Sequence, residues 1–418
     1  MLLLKSGNLI DGVSDESRKN VSVLIDGDKI VKVGKYEELS VGNSGVKEID
    51  CYGKTIMPGL IDAHVHLIYQ NVSEPYTIEL SRSLEEATGD AFYTARQLLS
   101  YGITTIRDVG TRGNISVTVR NAVSAGMFPG PRIKASSRII STVGGLGDFH
   151  PTHLFEEHKY RYGLGELILG TDQAKAAVRI MTKDGVDFIK VEASGTGFNP
   201  LCPAERNTIN YDELLAIVGE AKKNDLYVAC HAESISSVKM ACKAKVHDIQ
   251  HGIFIDDEAV EMMLENDIRL VPTLGMYWGF IEDGPANGIP QAIIDDHLKT
   301  HEHHVRSIQR CMDAGVKIAA GSDAGLTHFP QGGVRDEICR YVEIGMKPMD
   351  AIKTATSNGA ECLEVDDIVG TIEEGKFADI LVLNGDPIKD IKCIKNEENL
   401  DYIIQNGKIV KHLFGFSN

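Results

Sequence analysis

The chain contains 418 residues, of which 43% are hydrophobic and 25% are charged. This composition is typical of a folded globular protein and excludes a disordered, collagen-like or coiled-coil chain. Because the 60 acidic residues outnumber the 43 basic residues and give a net charge of −17, we expect no nucleic-acid partner and no anionic membrane surface, and no apolar stretch reaches the ~20 residues of a membrane span.

The first 55 residues consist of short alternating runs of apolar and polar residues, interrupted by glycine and asparagine. Two of these runs flank Gly27 and Asp28. A short glycine-containing turn between two alternating runs is typical of a β-hairpin. The N-terminal segment is therefore predicted to be β-structure.

The middle of the chain alternates between apolar runs and stretches of helical periodicity. The apolar runs predict strands at 56–66, 104–109, 132–140, 186–193, 227–232, 248–252, 269–274 and 317–323. The predicted helices include 84–99, 172–182, 211–222 and 291–312. Asn210, with Glu213 three residues later, has the spacing of a capping box. Eight strand units separated by helices favour an α/β fold, a (β/α)8 TIM barrel over residues 56–364, rather than a doubly wound sheet.

The C-terminal segment has the same pattern of short apolar runs and turns as the N-terminal segment. Apolar runs at 378–384 and 402–410 predict strands, and the second run turns around Asn406 and Gly407. Because two β-rich ends surround a different middle, we predict a small β-sandwich domain that both termini form, from residues 1–55 and 365–418.

The cysteines and the N-terminus bear on the location of the protein. The eight cysteines are far apart in the sequence and contain no CxxC pair. Residues 1–8 include three leucines but lack the basic segment and the long apolar core of a signal peptide. Both features predict a cytoplasmic protein with free thiols. We also expect the chain to form a homo-oligomer.

Residues suited to metal binding follow the ends of the predicted barrel strands, where the chemistry of such barrels takes place. His64 and His66 end the first strand and face the same way, because they are two residues apart. His231, His251 and Asp323 end the fifth, sixth and eighth strands. Nitrogen and oxygen ligands without thiolate suit zinc, with manganese, cobalt or iron as alternatives. Asp323 could also accept a proton as a general base, or simply cap the helix that follows.

Lys190 is the unusual residue of the fourth strand, because alternation predicts that it points into the barrel. A lysine is almost never fully buried without a partner. It could form an ion pair with Glu192, two residues further on and facing the same way. Alternatively, its neutral amine could react with CO2 to give a carbamate that bridges two metal ions. The residues alone leave both interpretations open.

These residues, in this order, resemble the metal motifs of the amidohydrolase superfamily. The matching segments are 57–66 (Met-Pro-Gly-Leu-Ile-Asp-Ala-His-Val-His), Ile189-Lys190, His231, His251, 321–323 (Gly-Ser-Asp) and 375–382 (Gly-Lys-Phe-Ala-Asp-Ile-Leu-Val). The resemblance covers the whole chain. A closer similarity, to the metal-dependent dipeptidase/carboxypeptidase group of prolidase-like and Xaa-Arg dipeptidase-like enzymes, rests on 144–145 (Gly-Gly), 193–195 (Ala-Ser-Gly) and 249–252 (Ile-Gln-His-Gly).

The resemblance implies a hydrolase that cleaves an amide C–N bond with two divalent metal ions, which we expect to be zinc. Its substrate would be a dipeptide, an N-acyl amino acid or a related small molecule. The implied ligands are His64, His66 and Asp323 for one metal, His231 and His251 for the other, with carboxylated Lys190 and a hydroxide between them. Asp323 would take the proton of the hydroxide and deliver it to the leaving nitrogen.

Two positions depart from the closer group, and both bear on the substrate. Relatives carry histidine after the two glycines and tyrosine after His-Ala, where this chain has Leu146 and Glu233. Glu192 and Glu233 are predicted to face the barrel axis and to favour a cationic group near the scissile bond, although one of them could instead orient a ligand histidine. Tyr69 and His150 are further candidates for substrate binding.

Two other classes of function compete with this one. A mononuclear deaminase, or a hydrolase of a cyclic amide or urea compound, would typically lack the lysine of strand four. A non-catalytic scaffold would have lost ligands, whereas all six are present. A second group of histidines, His297, His301 and His304, lies on one face of a predicted helix, away from the strand ends. We predict that this face is solvated or contacts another subunit.

Overall fold

The computed structural model describes residues 1–39, 45–73, 81–148, 163–197 and 202–410. Its strands are β1 (Leu2–Leu9), β2 (Arg18–Asp26), β3 (Lys29–Gly34), β4 (Lys47–Asp50), β5 (Thr55–Pro58), β6 (Leu60–Val65), β7 (Ile103–Asp108), β8 (Arg132–Ala135), β9 (Ile139–Thr142), β10 (Gly165–Ile168), β11 (Ile189–Glu192), β12 (Val228–Ala232), β13 (Asp248–His251), β14 (Arg269–Val271), β15 (Ile380–Leu383), β16 (Leu400–Gln405) and β17 (Lys408–Ile409).

The helices lie mostly between these central strands. They are α1 (Leu84–Ser100), α2 (Ile115–Ser124), α3 (Thr171–Asp184), α4 (Tyr211–Lys222), α5 (Ile235–Ala244), α6 (Asp257–Glu265), α7 (Leu274–Glu282), α8 (Gln291–Ala314), α9 (Val334–Glu343), α10 (Pro348–Thr354) and α11 (Ser357–Cys362). No helix of the described ranges combines the length and the apolar character that crossing a bilayer requires.

Strands from the two ends of the chain share one eight-stranded sheet, in the order β17-β16-β15-β5-β1-β2-β3, with β4 also paired to β1. Both predicted hairpins are confirmed. Asp26 pairs with Lys29 around the first turn, and Gln405 pairs with Lys408 around the second. The second turn has positive φ at both central residues, 47° at Asn406 and 73° at Gly407, which is why this dipeptide suits a tight hairpin.

The central strands form parallel sheets whose carboxyl ends point the same way. One sheet has the order β6-β7-β8 and the other has the order β10-β9-β11-β12-β13-β14. The segment 317–323 is not a strand, yet its backbone bonds to both sheets. Leu270 N donates to Lys317 O at 2.9 Å on one side, and Asp323 N donates to His64 O at 2.9 Å on the other.

The helices begin and end where the sequence supplies caps. The capping box at α4 is confirmed, because Glu213 N donates to Asn210 Oδ1 at 3.0 Å and Asn210 N donates to Glu213 Oε2 at 2.9 Å. α3 ends at Gly185, whose φ of 84° is the left-handed conformation that favours glycine at a helix end. All eight cysteines lie among the described residues and are free in the structure.

The structure differs from the predicted elements in several places. The run at 56–66 divides into β5, which belongs to the sheet of the two chain ends, and β6, and the segment 317–323 is not a strand. The run at 132–140 divides into β8 and β9, which belong to different sheets, because residues 136–138 leave the extended ladder. Strand β10 was not predicted; it pairs in parallel with β9. What the structure shows of the termini is a shared sheet, and the sandwich stays a prediction.

Candidate metal centre

A cavity at the carboxyl ends of the central strands brings the predicted ligands together. The wall of this cavity includes polar side chains that lie on, or directly after, strands β6, β11, β12 and β13. The described lining residues are His64, His66, Tyr69, Ile139, Leu146, Leu164, Lys190, Glu192, Thr196, His231, Glu233, His251, Met276, Tyr277, Asp323 and Leu326. This set includes every predicted ligand, so residues more than 250 positions apart in the chain meet in one place.

The two histidines of the first strand aim the same ring nitrogen at Asp323. His64 Nδ1 lies 2.5 Å from Gln250 Oε1, and His66 Nδ1 lies 2.8 Å from the carbonyl oxygen of Gly110. Each Nε2 lies 3.5 Å from Asp323 Oδ1. Because an amide oxygen and a carbonyl can only accept hydrogen bonds, both rings carry their proton on Nδ1 and present the lone pair of Nε2 to the cavity.

The second pair of histidines comes from adjacent strands, with ring centroids 4.4 Å apart. His231 Nε2 lies 2.9 Å from the carbonyl oxygen of Gly195, which leaves its Nδ1 lone pair free. His251 Nδ1 lies 2.7 Å from Thr273 Oγ1. His251 has a φ of 69°, a conformation uncommon outside glycine, and this backbone turn determines the direction of its side chain.

Burial keeps these imidazoles neutral, as metal ligands must be. It lowers the pKa of His66 to about 4 and that of His231 to about 3, and it holds the pKa values of His64 and His251 well below the usual range. None of these side chains needs to lose a proton at neutral pH before it can bind a cation.

Lys190 lies in the middle of the ligand set, on β11, with 2% of its surface exposed. Its Nζ has no hydrogen-bond acceptor among the described residues, so the alternative of an ion pair with Glu192 is not observed in that part of the chain. Burial, followed by the nearby Arg107 guanidinium, lowers the pKa of Lys190 to about 8. The amine of Lys190 therefore loses its proton more readily than that of an ordinary exposed lysine.

Asp323 completes the group from the segment that bonds to β6. Its φ is 53°, another uncommon backbone conformation for a residue with a side chain. Burial raises the pKa of Asp323 to about 7, although Lys190 acts in the opposite direction. A carboxyl group with this pKa can both accept and release a proton near neutral pH.

The donor atoms are close enough to share a metal ion. In the groups His64, His251 and Asp323, and His231, Glu233 and His251, the potential ligand atoms all lie within 4.8 Å of one another. Neutral imidazoles, carboxylates and a buried amine without an acceptor form a set that fits divalent cations bound by nitrogen and oxygen. The residues present therefore fit the metal site that the sequence predicts.

The two glutamates of the cavity have different surroundings. Glu192 accepts hydrogen bonds from the backbone N–H groups of Leu146 at 2.5 Å and Gly147 at 2.8 Å, so it anchors the turn that follows β9. Glu233 is fully buried, and its Oε1 accepts a hydrogen bond from Tyr277 Oη at 2.5 Å. Its Oε2 has no hydrogen bond to any described residue. Of the two acids, Glu233 is the one with an oxygen free for a ligand.

Helix α7 supports the centre from behind. It carries Tyr277, and Thr273, the partner of His251, immediately precedes it. The N-terminus of α7 is fixed by Glu337 of α9, which accepts hydrogen bonds from Leu274 N at 2.8 Å and Gly275 N at 2.5 Å. Glu337 has no exposed surface, and burial raises its pKa to about 8.

The remaining predicted residues have mixed outcomes. Tyr69 lines the cavity, with its ring centroid 4.7 Å from that of His66. His150 lies outside the described residues. The prediction of a solvated or subunit-contact face on α8 is wrong for His297 and His304, which are each 1% exposed. α7 covers this face, and His304 Nε2 contacts the carbonyl oxygen of His251 at 3.1 Å.

Sequence reasoning missed the groups that orient the ligands. Gln250 and Thr273 had no predicted role, although Gln250 belongs to a quoted motif. Gly195 contributes through its carbonyl oxygen, which no side-chain pattern reveals. The position of Gln250 two residues after Asp248 on one strand was the available signal, because both side chains must then share a face.

Comparison with known proteins identifies a family. The model of the amidohydrolase family matches residues 55–410. The chain is 27% identical to ochratoxinase from Aspergillus niger over 434 aligned positions, which cover 98% of this chain and 86% of that protein. It is 23% identical to imidazolonepropionase from Geobacillus kaustophilus, with coverage of 94% and 90%.

Solved structures similar to this chain include two enzymes. A Xaa-Pro dipeptidase with methionine bound in its active site is 33% identical, with a TM-score of 0.87 and coverage of 98% of this chain and 99% of the other. A prolidase in complex with N-methylphosphonate-L-proline is 30% identical, with a TM-score of 0.88 and the same coverage.

The buried carboxyl group of Glu337 makes stability depend on pH. Its pKa of about 8 in the folded chain exceeds the ~4.3 of an unfolded glutamate. Between these values the folded state holds a proton that the unfolded state has lost, so this stabilising contribution decreases as pH rises, by up to ~1.4 kcal/mol per pH unit. We expect Glu337→Gln to show a smaller loss of unfolding free energy between pH 5.5 and 8 than the parent chain in urea denaturation.

Glu343→Gln is the matched control, because Glu343 is exposed on the same helix. It should leave the pH slope of the parent unchanged. An identical slope for Glu337→Gln and the parent would show that Glu337 is ionised in the folded chain.

Proposed function

The chain belongs to the amidohydrolase family, and on this premise we propose that it hydrolyses an amide C–N bond by means of two divalent metal ions, most simply zinc. The observation that carries the proposal is the convergence of four neutral imidazoles and Asp323 around a buried lysine amine without an acceptor among the described residues. Imidazole lone pairs and a carboxyl group are costly to bury in this way unless they bind a cation.

The proposed ligand assignment uses each of the converging groups once. His64, His66 and Asp323 would hold one metal ion, His231 and His251 would hold the other, and Lys190 would be shared after carboxylation. The lone pairs of His64, His66 and His231 support this assignment, since their other ring nitrogens are occupied. Carboxylation converts the amine of Lys190 into an anionic oxygen ligand, which removes the problem of a buried cation.

In the reaction, the residues of this chain position the substrate and move a proton. Bound divalent ions would lower the pKa of an attacking water towards ~7 and polarise the scissile carbonyl. Asp323 accepts the proton of the attacking water and transfers it to the leaving nitrogen. The water oxygen joins the acyl carbon as the C–N bond breaks.

The proposed substrates are dipeptides, N-acyl amino acids or related amides with a cationic group near the scissile bond. The similarity to a Xaa-Pro dipeptidase and to a prolidase supports a dipeptide as the substrate. The cavity wall combines apolar residues, such as Leu146, Leu164 and Met276, with the free oxygen of Glu233. Burial raises the pKa of Glu233 to about 8, and a substrate cation would favour the charged form of this carboxyl group and form a charge-assisted bond with it.

We also propose the architecture in which this chemistry takes place. The parallel sheets would close into a (β/α)8 barrel over residues 56–364, supported by the bonds of 317–323 to β14 and β6. Residues 1–55 and 365–418 would form a separate β-sandwich domain, supported by the sheet that both ends share.

The Lys190→Ala variant tests the two-metal assignment directly. It removes the shared ligand, so we expect metal content to fall from about two ions per chain and hydrolysis of a dipeptide and N-acyl amino acid panel to be lost. Short carboxylic acids added to the buffer should restore part of the metal content and part of the hydrolysis, because they can occupy the space of the carbamate. Elemental analysis and the amidase assay measure the two effects.

Lys134→Ala serves as the control, since Lys134 is a half-buried lysine on β8 outside the cavity. Full metal content and normal turnover in Lys190→Ala would contradict the proposal. One ion per chain in the parent would favour the mononuclear deaminase or cyclic amide hydrolase instead.

Asp323→Asn separates metal binding from proton transfer. The amide can still occupy the ligand position but cannot accept a proton, so we expect kcat to fall by about 10²–10⁴-fold while much of the metal is retained. Metal analysis and steady-state kinetics on the same preparation measure both quantities. A kcat near that of the parent would assign the proton transfer to another residue.

Glu233→Gln tests the proposed preference for a cation. We expect KM to rise selectively for arginyl and lysyl substrates, because the variant loses the charge-assisted bond but keeps its size. Neutral substrates of equal length are the internal control and should change little. If the parent turns over apolar or acidic substrates faster than cationic ones, this preference is wrong even where amide hydrolysis itself is observed.

A further inference from the structure

A buried ion pair lies below the ligand layer, in the interior of the parallel sheets. Arg107 of β7 donates from Nη1 and Nη2 to the two oxygens of Asp248 of β13, at 2.7 and 2.9 Å. Neither side chain has any exposed surface. Arg107 also donates from Nε to the carbonyl oxygen of Ala63, at 2.9 Å, so the pair is fixed against β6 as well.

Asp248 is a carboxylate that can only accept hydrogen bonds. Burial raises its pKa, but the Arg107 guanidinium outweighs burial and leaves that pKa below the ordinary value. The Nε2 group of Gln250 donates to Asp248 Oδ1. A glutamine amide has a donor end, Nε2, and an acceptor end, Oε1. Because Nε2 is bound to Asp248, Oε1 must point away from Asp248.

The acceptor end of Gln250 faces His64. Its Oε1 lies 2.5 Å from His64 Nδ1. Since Oε1 cannot donate, the ring must carry its proton on Nδ1, and the lone pair must be on Nε2, which faces Asp323. Asp248 therefore determines the position of the proton on the His64 ring, because it orients the single amide group that lies between them.

We propose that Arg107, Asp248 and Gln250 form a positioning relay that fixes the Nδ1–H tautomer of His64 and so presets its Nε2 for a metal ion. None of the three lines the cavity described above. Replacing a buried ion pair by apolar residues is often neutral for stability, so packing alone does not require this pair. The tautomer of His64 does not depend on the proposed function. The expected effect on metal affinity does rest on the proposed function.

The experiment uses Gln250→Met, which keeps the shape of the side chain but removes both ends of the amide. Nitrogen-15 NMR of the metal-free chain with labelled histidine distinguishes the two tautomers, and the His64 signal is identified by its loss in His64→Gln. We expect the Nδ1–H form alone in the parent, and a clear population of the Nε2–H form in the variant. Zinc affinity, measured by competition with a chelator, should fall about 10–100-fold.

The control is Gln405→Met, which loses comparable hydrogen bonds, to Thr104 O at 3.2 Å and Gly130 O at 3.0 Å, far from the ligands. It should change neither readout. Asp248→Asn is the second variant, and it provides the same measurement if Gln250→Met does not fold. An amide in place of the carboxylate can also donate, so Gln250 can reverse and the tautomers should mix.

The outcomes separate the two proposals. An unchanged His64 tautomer in both variants overturns the relay, whatever the metal affinity. Zinc that does not bind to the parent overturns the proposed metal centre, while the tautomer shift can still be observed in the metal-free chain.

Discussion

The amine of Lys190 lies at the centre of the ligand set because β11 carries it into the interior, where no acceptor among the described residues meets it. A buried ammonium without a partner would cost several kcal/mol. The chain therefore has to remove this charge or offset it, and the neighbouring groups are arranged accordingly. Neutral imidazoles surround the amine, and Asp323 and Asp248 both favour its charged form, whereas Arg107 opposes it. The proposed metal centre depends on how this single nitrogen is accommodated.

Three residues of the site have an uncommon backbone conformation. His251, Thr273 and Asp323 all have positive φ, at 69°, 56° and 53°. Such conformations cost about 1–3 kcal/mol each and persist only where the surrounding structure holds them. Here two of the strained residues are proposed ligands and the third is the hydrogen-bond partner of one. The contact between His251 Nδ1 and Thr273 Oγ1 and the hydrogen bond from Asp323 N to the carbonyl oxygen of His64 help to hold these residues in place.

The sequence predicted local elements well because their causes are local. The box of Asn210 and Glu213 and the Asn406-Gly407 turn each depend on neighbouring residues alone, and both are present. The predicted ligands converge because parallel strands bring their ends together. Alternation from Gln250 would have placed His251 on the opposite face, and only its positive φ reverses this. The burial of His304 likewise depends on α7, a distant element that no periodicity of its own helix reveals.

The eight-stranded sheet sets an order of events during protein synthesis. Thr55 of β5 pairs with Leu383 of β15, so two strands that are neighbours in space are separated by most of the chain. At ~5–20 residues per second, a ribosome needs roughly 15–65 s to travel between them. During that time β5 has an unpaired edge, which in isolation is a template for pairing with other chains. The newly made N-terminal strands must therefore wait, partly formed, for the last part of the chain before their sheet can be complete.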